Sequence, residues 1–232
     1  EDNHIDALLV IGGYSAYEGI HTMTTERDRY PAFRIPTVCI PASIDNNLPG
    51  SELSIGADTA LNVIVEAMDK IKESGIASRR CFVVETMGRD CGYLALMSGI
   101  AAGAERIYTN EDGISLDDLA NDVHWLRESF AHGRRLFLAV RNENASRNYT
   151  TDFIARLLEE ESHGMYDVRQ VVLGHMQQGG SPSPFDRLLA NRLAYRALNL
   201  IDDELAAHQD GPWFIGVNES DMRPSKMETM PS

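Results

Sequence analysis

The stretch CFVVETMGRDCGYLALMSGIAAGA, residues 81–104, contains both of the patterns that decide the fold. Its first part, CFVVET, is a continuous apolar run, which is typical of a strand that is buried on both faces. Its second part, GYLALMSGIAAGA, is rich in small residues, as in a helix that packs tightly. A buried strand followed by a helix is the repeating unit of an α/β fold.

The same pairing recurs along the chain. Helical patterns with a 3.6-residue apolar period cover residues 56–74, 115–130 and 185–201, with Ser115 as an N-cap and the last helix beginning near Asp186. Further strand-type runs are ALLVIGG (7–13), TVCIPA (37–42), LFLAVRN (136–142), VVLGH (171–175) and WFIGVN (213–218). This alternation predicts an α/β fold with mostly parallel sheets flanked by helices.

Composition excludes several classes of function. The net charge of −14, from 35 acidic and 21 basic residues among 232, is poorly suited to nucleic acid or an anionic membrane surface. No stretch approaches the roughly 20 apolar residues that span a bilayer. With no signal-peptide pattern, a cytoplasmic location is expected. Cys39, Cys81 and Cys91 lack metal-like spacing and are expected to be buried free thiols.

Polar side chains follow the predicted strands. Ligands of open α/β sheets bind beyond the carboxyl ends of the strands. The residues at these ends are 12–15, 43–47, 87–89, 141–143 and 175–181. Arg80 and Arg169 precede their predicted strands, so they are expected at the opposite end of the sheet.

The charges at these strand ends predict a sugar-phosphate site. Arg89 and Arg141 are cations in an acidic chain, and a guanidinium donates two parallel hydrogen bonds to phosphate, to which His175 can add a further donor. Asp45 and Glu143 would repel phosphate and are expected to face neutral hydroxyls. Two alternatives stay open: the arginines form surface ion pairs, and Asp45 only shapes a turn.

Four motifs together carry a resemblance: IPASIDNN (40–47), ETMGRDCGYLA (85–95), RNENASRNYTTDF (141–153) and LGHMQQGGSPSPFDR (173–187). In order and spacing the chain resembles the 6-phosphofructokinase family. That family transfers the terminal phosphoryl group of ATP, with magnesium, to the 1-hydroxyl of fructose 6-phosphate in glycolysis. The resemblance implies a phosphofructokinase-like fold of two α/β domains per unit, with the sugar phosphate bound between them.

The resemblance also implies roles for individual residues. Asp45 matches the catalytic base, Arg89 matches an arginine that stabilises the transition state, and Ser43 matches a threonine near the transferred group. The residues that match the sugar-phosphate pocket are Met87, Gly88, Glu143 for the sugar hydroxyls, and His175 for the 6-phosphate. Arg80 and Arg169 match arginines that reach a sugar phosphate bound by a neighbouring subunit.

The chain departs from the family pattern at several positions. Tyr14 stands where catalytic units have a magnesium-binding aspartate, Asn47 replaces the second acid of the Asp45 loop, and Gln178 replaces a 6-phosphate arginine. The first strand pattern begins almost at residue 1, and residues 223–232 are expected to be a polar tail. We therefore expect a segment of a longer chain that lacks the first third of a family unit.

In these departures the chain resembles the carboxyl-terminal half of duplicated eukaryotic phosphofructokinases. In that half the former active site has become an allosteric site that binds fructose 2,6-bisphosphate. That half typically loses the loop aspartate and the MGR arginine, whereas this chain keeps Asp45 and Arg89. A pyrophosphate-dependent relative is less favoured, because Ala42 stands where such enzymes carry a lysine.

The expected organisation is a partial phosphofructokinase unit over residues 1–232. Residues 36–180 are predicted to form the sugar-phosphate-binding core, and the remainder belongs to the nucleotide-side domain. The expected partners are fructose 6-phosphate or a fructose bisphosphate, together with the other half or subunits of an oligomeric, allosteric enzyme. The isolated segment is expected to be inactive.

Overall fold

The computed structural model describes residues 4–75, 77–219 and 221–227. The chain divides into two compact units. Unit 1 combines Glu1–Asp58 with Pro182–Ser232, and unit 2 is Thr59–Ser181. Each unit has its own four-stranded sheet.

Unit 2 contains a fully parallel sheet. Its strands are β3 (Arg80–Thr86), β4 (Arg106–Tyr108), β5 (Leu136–Asn142) and β6 (Asp167–Val172), in the order β4-β5-β3-β6. Its helices are α2 (Ala57–Gly75, which starts at the boundary with unit 1), α3 (Tyr93–Ala102), α4 (Leu116–Ala131) and α5 (Thr151–Glu161). A 3-10 helix covers Gly174–Gln178. This arrangement confirms the predicted fold class for this half of the chain.

The central strands of unit 2 are buried because their sequences are apolar on both faces. Val83 and Ala139 are fully buried in one core cluster with Leu119 and Leu126 of α4 and Ile154 of α5. The predicted N-cap of α4 is confirmed, since Ser115 and Asp118 form a reciprocal capping box.

Unit 1 contains a mixed sheet. Its strands are β1 (Leu8–Gly12), β2 (Thr37–Pro41), β7 (Pro212–Asn218) and β8 (Asp221–Lys226), in the order β1-β2-β7-β8. The first three are parallel, and β8 pairs antiparallel with β7. Helices α1 (Tyr14–Thr25) and α6 (Pro184–Ala207) and a 3-10 turn, Pro31–Phe33, complete the unit.

The structure corrects three sequence-based boundaries. Residues 223–226 belong to edge strand β8 and Met227 is buried, so they are not part of a polar tail; residues 228–232 lie outside the described ranges. Strand β6 begins at Asp167, four residues before the predicted run. Helix α6 begins at Pro184, because the Ser183 hydroxyl caps it by accepting from the Asp186 N–H.

The cysteines are all free, but only two are buried. Burial raises the pKa of the Cys39 thiol to about 12 and raises that of Cys81 as well. Cys91 is half-buried, because it lies in the loop between β3 and α3. Within the described ranges, every helix is too short or too polar to cross a membrane.

Candidate functional site

The carboxyl ends of β3, β5 and β6 lie side by side in unit 2. Thr86 at the end of β3 pairs with Asn142 at the end of β5, and Glu85 pairs with Val172 of β6. Beyond the strand end, the Glu143 N–H donates to the Thr86 carbonyl at 2.9 Å. The structure therefore brings the loops that carry the predicted residues 87–89, 143 and 175 to one edge of the sheet.

Three side chains hold the loop that follows β3. The Met87 N–H donates to Gln177 Oε1 at 3.1 Å, and the Gly88 N–H donates to Glu143 Oε1 at 3.1 Å. Asn142 Nδ2 donates to the Gly88 carbonyl at 2.9 Å. The loop is thus tied to the ends of both neighbouring strands, and the exposed Arg89 that follows starts from a fixed backbone.

Glycine is required at position 88. Its φ of +139° lies in a region that L side chains rarely adopt. A Cβ there would also lie 2.4 Å from the Cys91 carbonyl oxygen and 2.5 Å from Asn142 Nδ2. The family resemblance implies that Gly88 lines the sugar pocket, and the close approaches at this glycine show that it also allows the loop to close on itself.

His175 and Gln178 are exposed together on the 3-10 helix. His175 Nδ1 lies 3.2 Å from Gln178 Oε1. Because an amide oxygen only accepts, Nδ1 carries the proton in this contact, and Nε2 remains as the second polar atom of the ring. The pair could offer an imidazole and an amide donor to a phosphate.

Gln177 is a site residue that the sequence analysis missed. Its side chain is buried; Oε1 accepts from Met87, while Nε2 donates to the Gly174 carbonyl at 2.9 Å. It therefore joins the loop after β3 to the loop after β6. Nothing in the dipeptide Gln177-Gln178 distinguishes a buried glutamine from an exposed one, since a 3-10 turn decides which of them faces inward.

Arg141 does not bind phosphate as predicted, because it is buried. Only 2% of the residue is exposed, and its Nη1 donates to Glu85 Oε2 at 2.9 Å. Its remaining donors reach the carbonyl oxygens of Tyr149 at 3.1 Å and Ser146 at 2.6 Å. Burial lowers the pKa of the Arg141 guanidinium, and the charge of Glu85 opposes that shift. Arg141 organises the loop after β5.

Arg80 and Arg169 lie away from the carboxyl ends of the strands. Arg80 begins β3, and its Nη1 donates to the Ser74 carbonyl at 3.2 Å. Arg169 is inside β6 and does not precede it, because this edge strand tolerates polar residues. Its side chain is 54% exposed; Nη1 donates to the Val168 carbonyl at 2.7 Å, and Nη2 lies 3.8 Å from the Asp167 carboxylate.

Ser43 and Asp45 lie in unit 1, in the loop after β2. The Asp45 N–H donates to Ser43 Oγ at 3.2 Å. Asn46 is left-handed, with a φ of +52°, and its Oδ1 accepts from the Ser54 N–H at 2.7 Å. Asp45 is half-buried, and the hydrogen bonds of Ser43 and Asn46 hold the turn on either side of it. Its place in this turn therefore leaves the Asp45 carboxylate able to serve as a base.

The magnesium that the resemblance implies lacks matching ligands. Tyr14, the first residue of α1, offers a phenol in place of a carboxylate, and its ring stacks on Tyr17 with the centroids 6.4 Å apart. Among residues 4–75, 77–219 and 221–227, no group of three or more His, Cys, Asp or Glu side chains is placed to hold a metal ion. The described residues do not fit magnesium.

Comparison with known proteins gives one consistent result. The family model described as Phosphofructokinase matches residues 1–201. The rat platelet-type ATP-dependent 6-phosphofructokinase is 47% identical over 214 residues, which cover 91% of this chain and 27% of that protein. ATP-dependent 6-phosphofructokinase 1 of Aspergillus oryzae is 43% identical over 96% of this chain and 30% of its own length. The chain thus spans between a quarter and a third of these curated relatives.

Solved structures agree with these relatives. Phosphofructokinase from Saccharomyces cerevisiae superimposes with a TM-score of 0.95 and 36% identity, over 99% of this chain and 32% of that one. A pyrophosphate-dependent phosphofructokinase from Marinobacter aquaeolei, at 17% identity and a TM-score of 0.73 over 61% of its chain, shares the fold alone. The predicted family is confirmed: this chain belongs to the phosphofructokinase family.

Proposed function

We propose that this chain supplies the fructose-phosphate-binding part of an ATP-dependent 6-phosphofructokinase. The observation that carries the proposal is the pair of hydrogen bonds that fix residues 87 and 88 to Gln177 and Glu143. Such a tie presents Arg89 and Glu143, a cation and an acid, from adjacent strand ends of one rigid sheet. Pre-organised groups of this kind bind charged transition states with little reorganisation.

The residues of unit 2 suit the two halves of a sugar phosphate. The imidazolium form of His175, through Nε2, and the Gln178 amide donate to the 6-phosphate, and Met87 and Gly88 line the sugar ring. The Glu143 carboxylate accepts from sugar hydroxyls, because it would repel a phosphate. Arg89 stabilises the phosphoryl group in transfer through charge-assisted hydrogen bonds.

In unit 1 we assign the proton transfer to Asp45. Asp45 takes the proton of the 1-hydroxyl as that oxygen forms a bond to the terminal phosphorus of ATP. The bond between this phosphorus and the bridging oxygen breaks, and ADP leaves with the electron pair. Ser43 orders the loop by accepting from the Asp45 N–H, and the family resemblance assigns it a place near the transferred group. A positioned base of this kind contributes about 10²–10⁴ in rate.

A regulatory role is the second candidate. In it the same residues bind fructose 2,6-bisphosphate as an allosteric signal without turnover. Tyr14, together with the lack of a metal-binding cluster among the described residues, favours this role. In both candidates the intact enzyme is cytoplasmic and oligomeric, uses Mg-ATP, and places this chain beside another half or subunit.

Asp45→Asn in an intact phosphofructokinase that contains this chain separates the two roles. For a catalytic base, kcat falls about 10²–10⁴-fold while the KM for fructose 6-phosphate changes little. For a regulatory site, kcat is kept and only the response to fructose 2,6-bisphosphate changes. The matched control is Asp28→Asn, which removes an exposed acid paired with Arg34 in the same unit.

Binding by the 232-residue chain tests the part that both roles share. We expect saturable binding of fructose 6-phosphate or fructose 2,6-bisphosphate in titration calorimetry, with little or no ATP turnover. Failure to bind either sugar phosphate would overturn the proposal. Strong magnesium-dependent kinase activity of the chain alone would contradict the inference that its metal site is incomplete.

A further inference from the structure

The carboxylate of Glu111 holds the far end of the loop that carries Arg89. Both of its oxygens accept from the Gly92 N–H, Oε1 at 2.8 Å and Oε2 at 3.0 Å. Gly92 is the N-cap of α3, where the loop after β3 ends. The hydrogen bonds of Gln177 and Glu143 described above fix the start of the same loop. Glu111, which the proposed function does not use, therefore adds a tie at its other end.

The two exposed residues of the loop lie between these ties. Asn142 Nδ2 donates to the carbonyl oxygens of Gly88 at 2.9 Å and of Cys91 at 3.1 Å. Arg89 and Asp90 are exposed between the two carbonyls, and Asp90 has a left-handed φ of +55°. The backbone thus turns back over two residues, and the direction in which Arg89 leaves it depends on both ends of the loop being held.

A compact turn after β4 holds Glu111 in place. Tyr108, the last residue of β4, is paired with Arg141 of β5, so this turn follows a fourth strand end of the same sheet. Thr109 Oγ1 donates to Asp112 Oδ2 at 2.8 Å and accepts from the Asp112 N–H at 3.2 Å. These two hydrogen bonds close the turn around Glu111, so its carboxylate starts from a fixed backbone.

Position 92 allows this contact only because it is a glycine. A Cβ there would lie 2.4 Å from Glu111 Oε2 and 2.6 Å from Thr109 Cβ. The φ of Gly92 is −80°, which any residue adopts, so the requirement here is for space and not for an unusual backbone conformation. The turn after β4 and the start of α3 are packed directly against each other at this point.

Capping of α3 is the simpler account of the contact. In a capping box the acid at the third helical position accepts from the N-cap N–H. Helix α3 has Ala95 at that position and no acid in its first turn, so Glu111 supplies the carboxylate from another strand end. The same hydrogen bonds serve as a cap and as a loop tie, and ligand binding separates the two roles.

We propose that Glu111 is a positioning residue for Arg89, an inference that rests on the proposed function of Arg89. By fixing Gly92, Glu111 limits the directions that the guanidinium takes and aims it at the phosphate that distinguishes a fructose bisphosphate from fructose 6-phosphate. Glu111 itself does not bind that phosphate, because its charge repels an anion.

Titration calorimetry of the 232-residue chain with fructose 2,6-bisphosphate and with fructose 6-phosphate tests this role, because the second ligand lacks the phosphate assigned to Arg89. Glu111→Ala should raise the dissociation constant of the bisphosphate about five- to tenfold and that of fructose 6-phosphate less than about twofold. Glu111→Gln should bind like the parent chain, since an amide oxygen also accepts from the Gly92 N–H. Asp117→Ala, which removes an exposed acid at the start of α4, is the control and should change neither constant.

A double-mutant cycle with Arg89→Ala shows whether Glu111 acts through Arg89. Arg89→Ala should raise the dissociation constant of the bisphosphate at least about tenfold, and adding Glu111→Ala should raise it less than about twofold further. Equal losses for the two ligands, or a full effect of Glu111→Ala in the absence of Arg89, would overturn the positioning role and leave the proposed function standing. An Arg89→Ala variant that binds normally would instead overturn the proposed role of Arg89, and this inference with it. If circular dichroism shows that Glu111→Ala has not folded, Glu111→Asp takes its place with the same expected loss, because its shorter side chain does not reach Gly92.

Discussion

Glu143 and Gly88 are joined by a hydrogen bond of 3.1 Å, in which a carboxylate oxygen after β5 accepts from a backbone N–H after β3. The bond places an acid beside the start of the loop that presents Arg89. Because Gly88 has no side chain and a φ of +139°, the backbone can come this close to its neighbours. One carboxylate thus has two tasks: it fixes the loop and offers an acceptor to a ligand.

Glu143→Gln separates these two tasks. A glutamine oxygen can still accept from Gly88, so the loop should keep its shape while the charge disappears. We expect the affinity for fructose 6-phosphate to fall roughly five- to tenfold, the size of one weakened hydrogen bond, and the affinity for inorganic phosphate to hold or rise. Titration calorimetry measures both ligands, with Glu128→Gln on α4 as the control. Equal losses for the sugar phosphate and phosphate would contradict the hydroxyl-binding role.

Gln177→Leu should destabilise the protein by about 1–3 kcal/mol, because the Met87 N–H and the Gly174 carbonyl lose their partner. Urea unfolding measures this free energy. The neighbouring Gln178→Leu is the matched control and should change stability by no more than about 0.5 kcal/mol, since its side chain is exposed. Similar values for the two variants would show that Gln177 does not join the two loops.

The central strands could be predicted from sequence, because apolar residues on both faces leave them no solvated side. The edge strands could not. β6 starts with the polar residues Asp167 and Arg169, and β8 includes Asp221, Arg223 and Pro224. An edge strand faces water along one side, so its sequence need not differ from that of a loop. β4, with three residues, is too short to show any period.

The candidate site was predictable as a set of strand ends but not as a set of contacts. Arg89 and Arg141 both occupy strand ends, yet only Arg89 is exposed. The difference comes from Glu85, which is the register partner of Arg141 on the adjacent strand. A pairing across 56 positions in sequence is set by the sheet register, which the local pattern around Arg141 does not contain.

Asp118→Asn should reveal the capping box of α4 through pH. Asp118 accepts from the hydroxyl and the N–H of Ser115, which lowers the pKa of its carboxyl. A carboxyl whose pKa is lowered in the folded state stabilises the fold above its unfolded-state pKa of about 3.9. This stabilisation is lost as the pH falls through the folded-state pKa.

We therefore expect Asp118→Asn to be less stable than the parent chain at pH 6, with the gap closing below about pH 4. Urea unfolding at a series of pH values measures the gap. Asp117→Asn removes a charge from the same first turn without affecting the capping box, so its gap should depend less on pH. A pH-independent gap for Asp118→Asn would mean that its ionised carboxylate is not what caps the helix.

Arg169 is expected to act on a neighbour and not within its own unit. It lies inside edge strand β6 with its side chain 54% exposed, and its guanidinium donates to the Val168 carbonyl at 2.7 Å and lies 3.8 Å from Asp167. The side chain is exposed enough to exchange these contacts for a phosphate. The family resemblance assigns this position to the sugar phosphate of a partner subunit, and symmetric pairing makes such donation reciprocal.

Arg169→Ala in an intact phosphofructokinase should therefore raise the KM for fructose 6-phosphate about tenfold, the loss of one charge-assisted bond, with a smaller change in kcat. Asp167→Asn is the control, since it removes the 3.8 Å ion pair of the same guanidinium and should not raise the KM. A lost fructose 2,6-bisphosphate response with an unchanged KM would place Arg169 at the effector site instead.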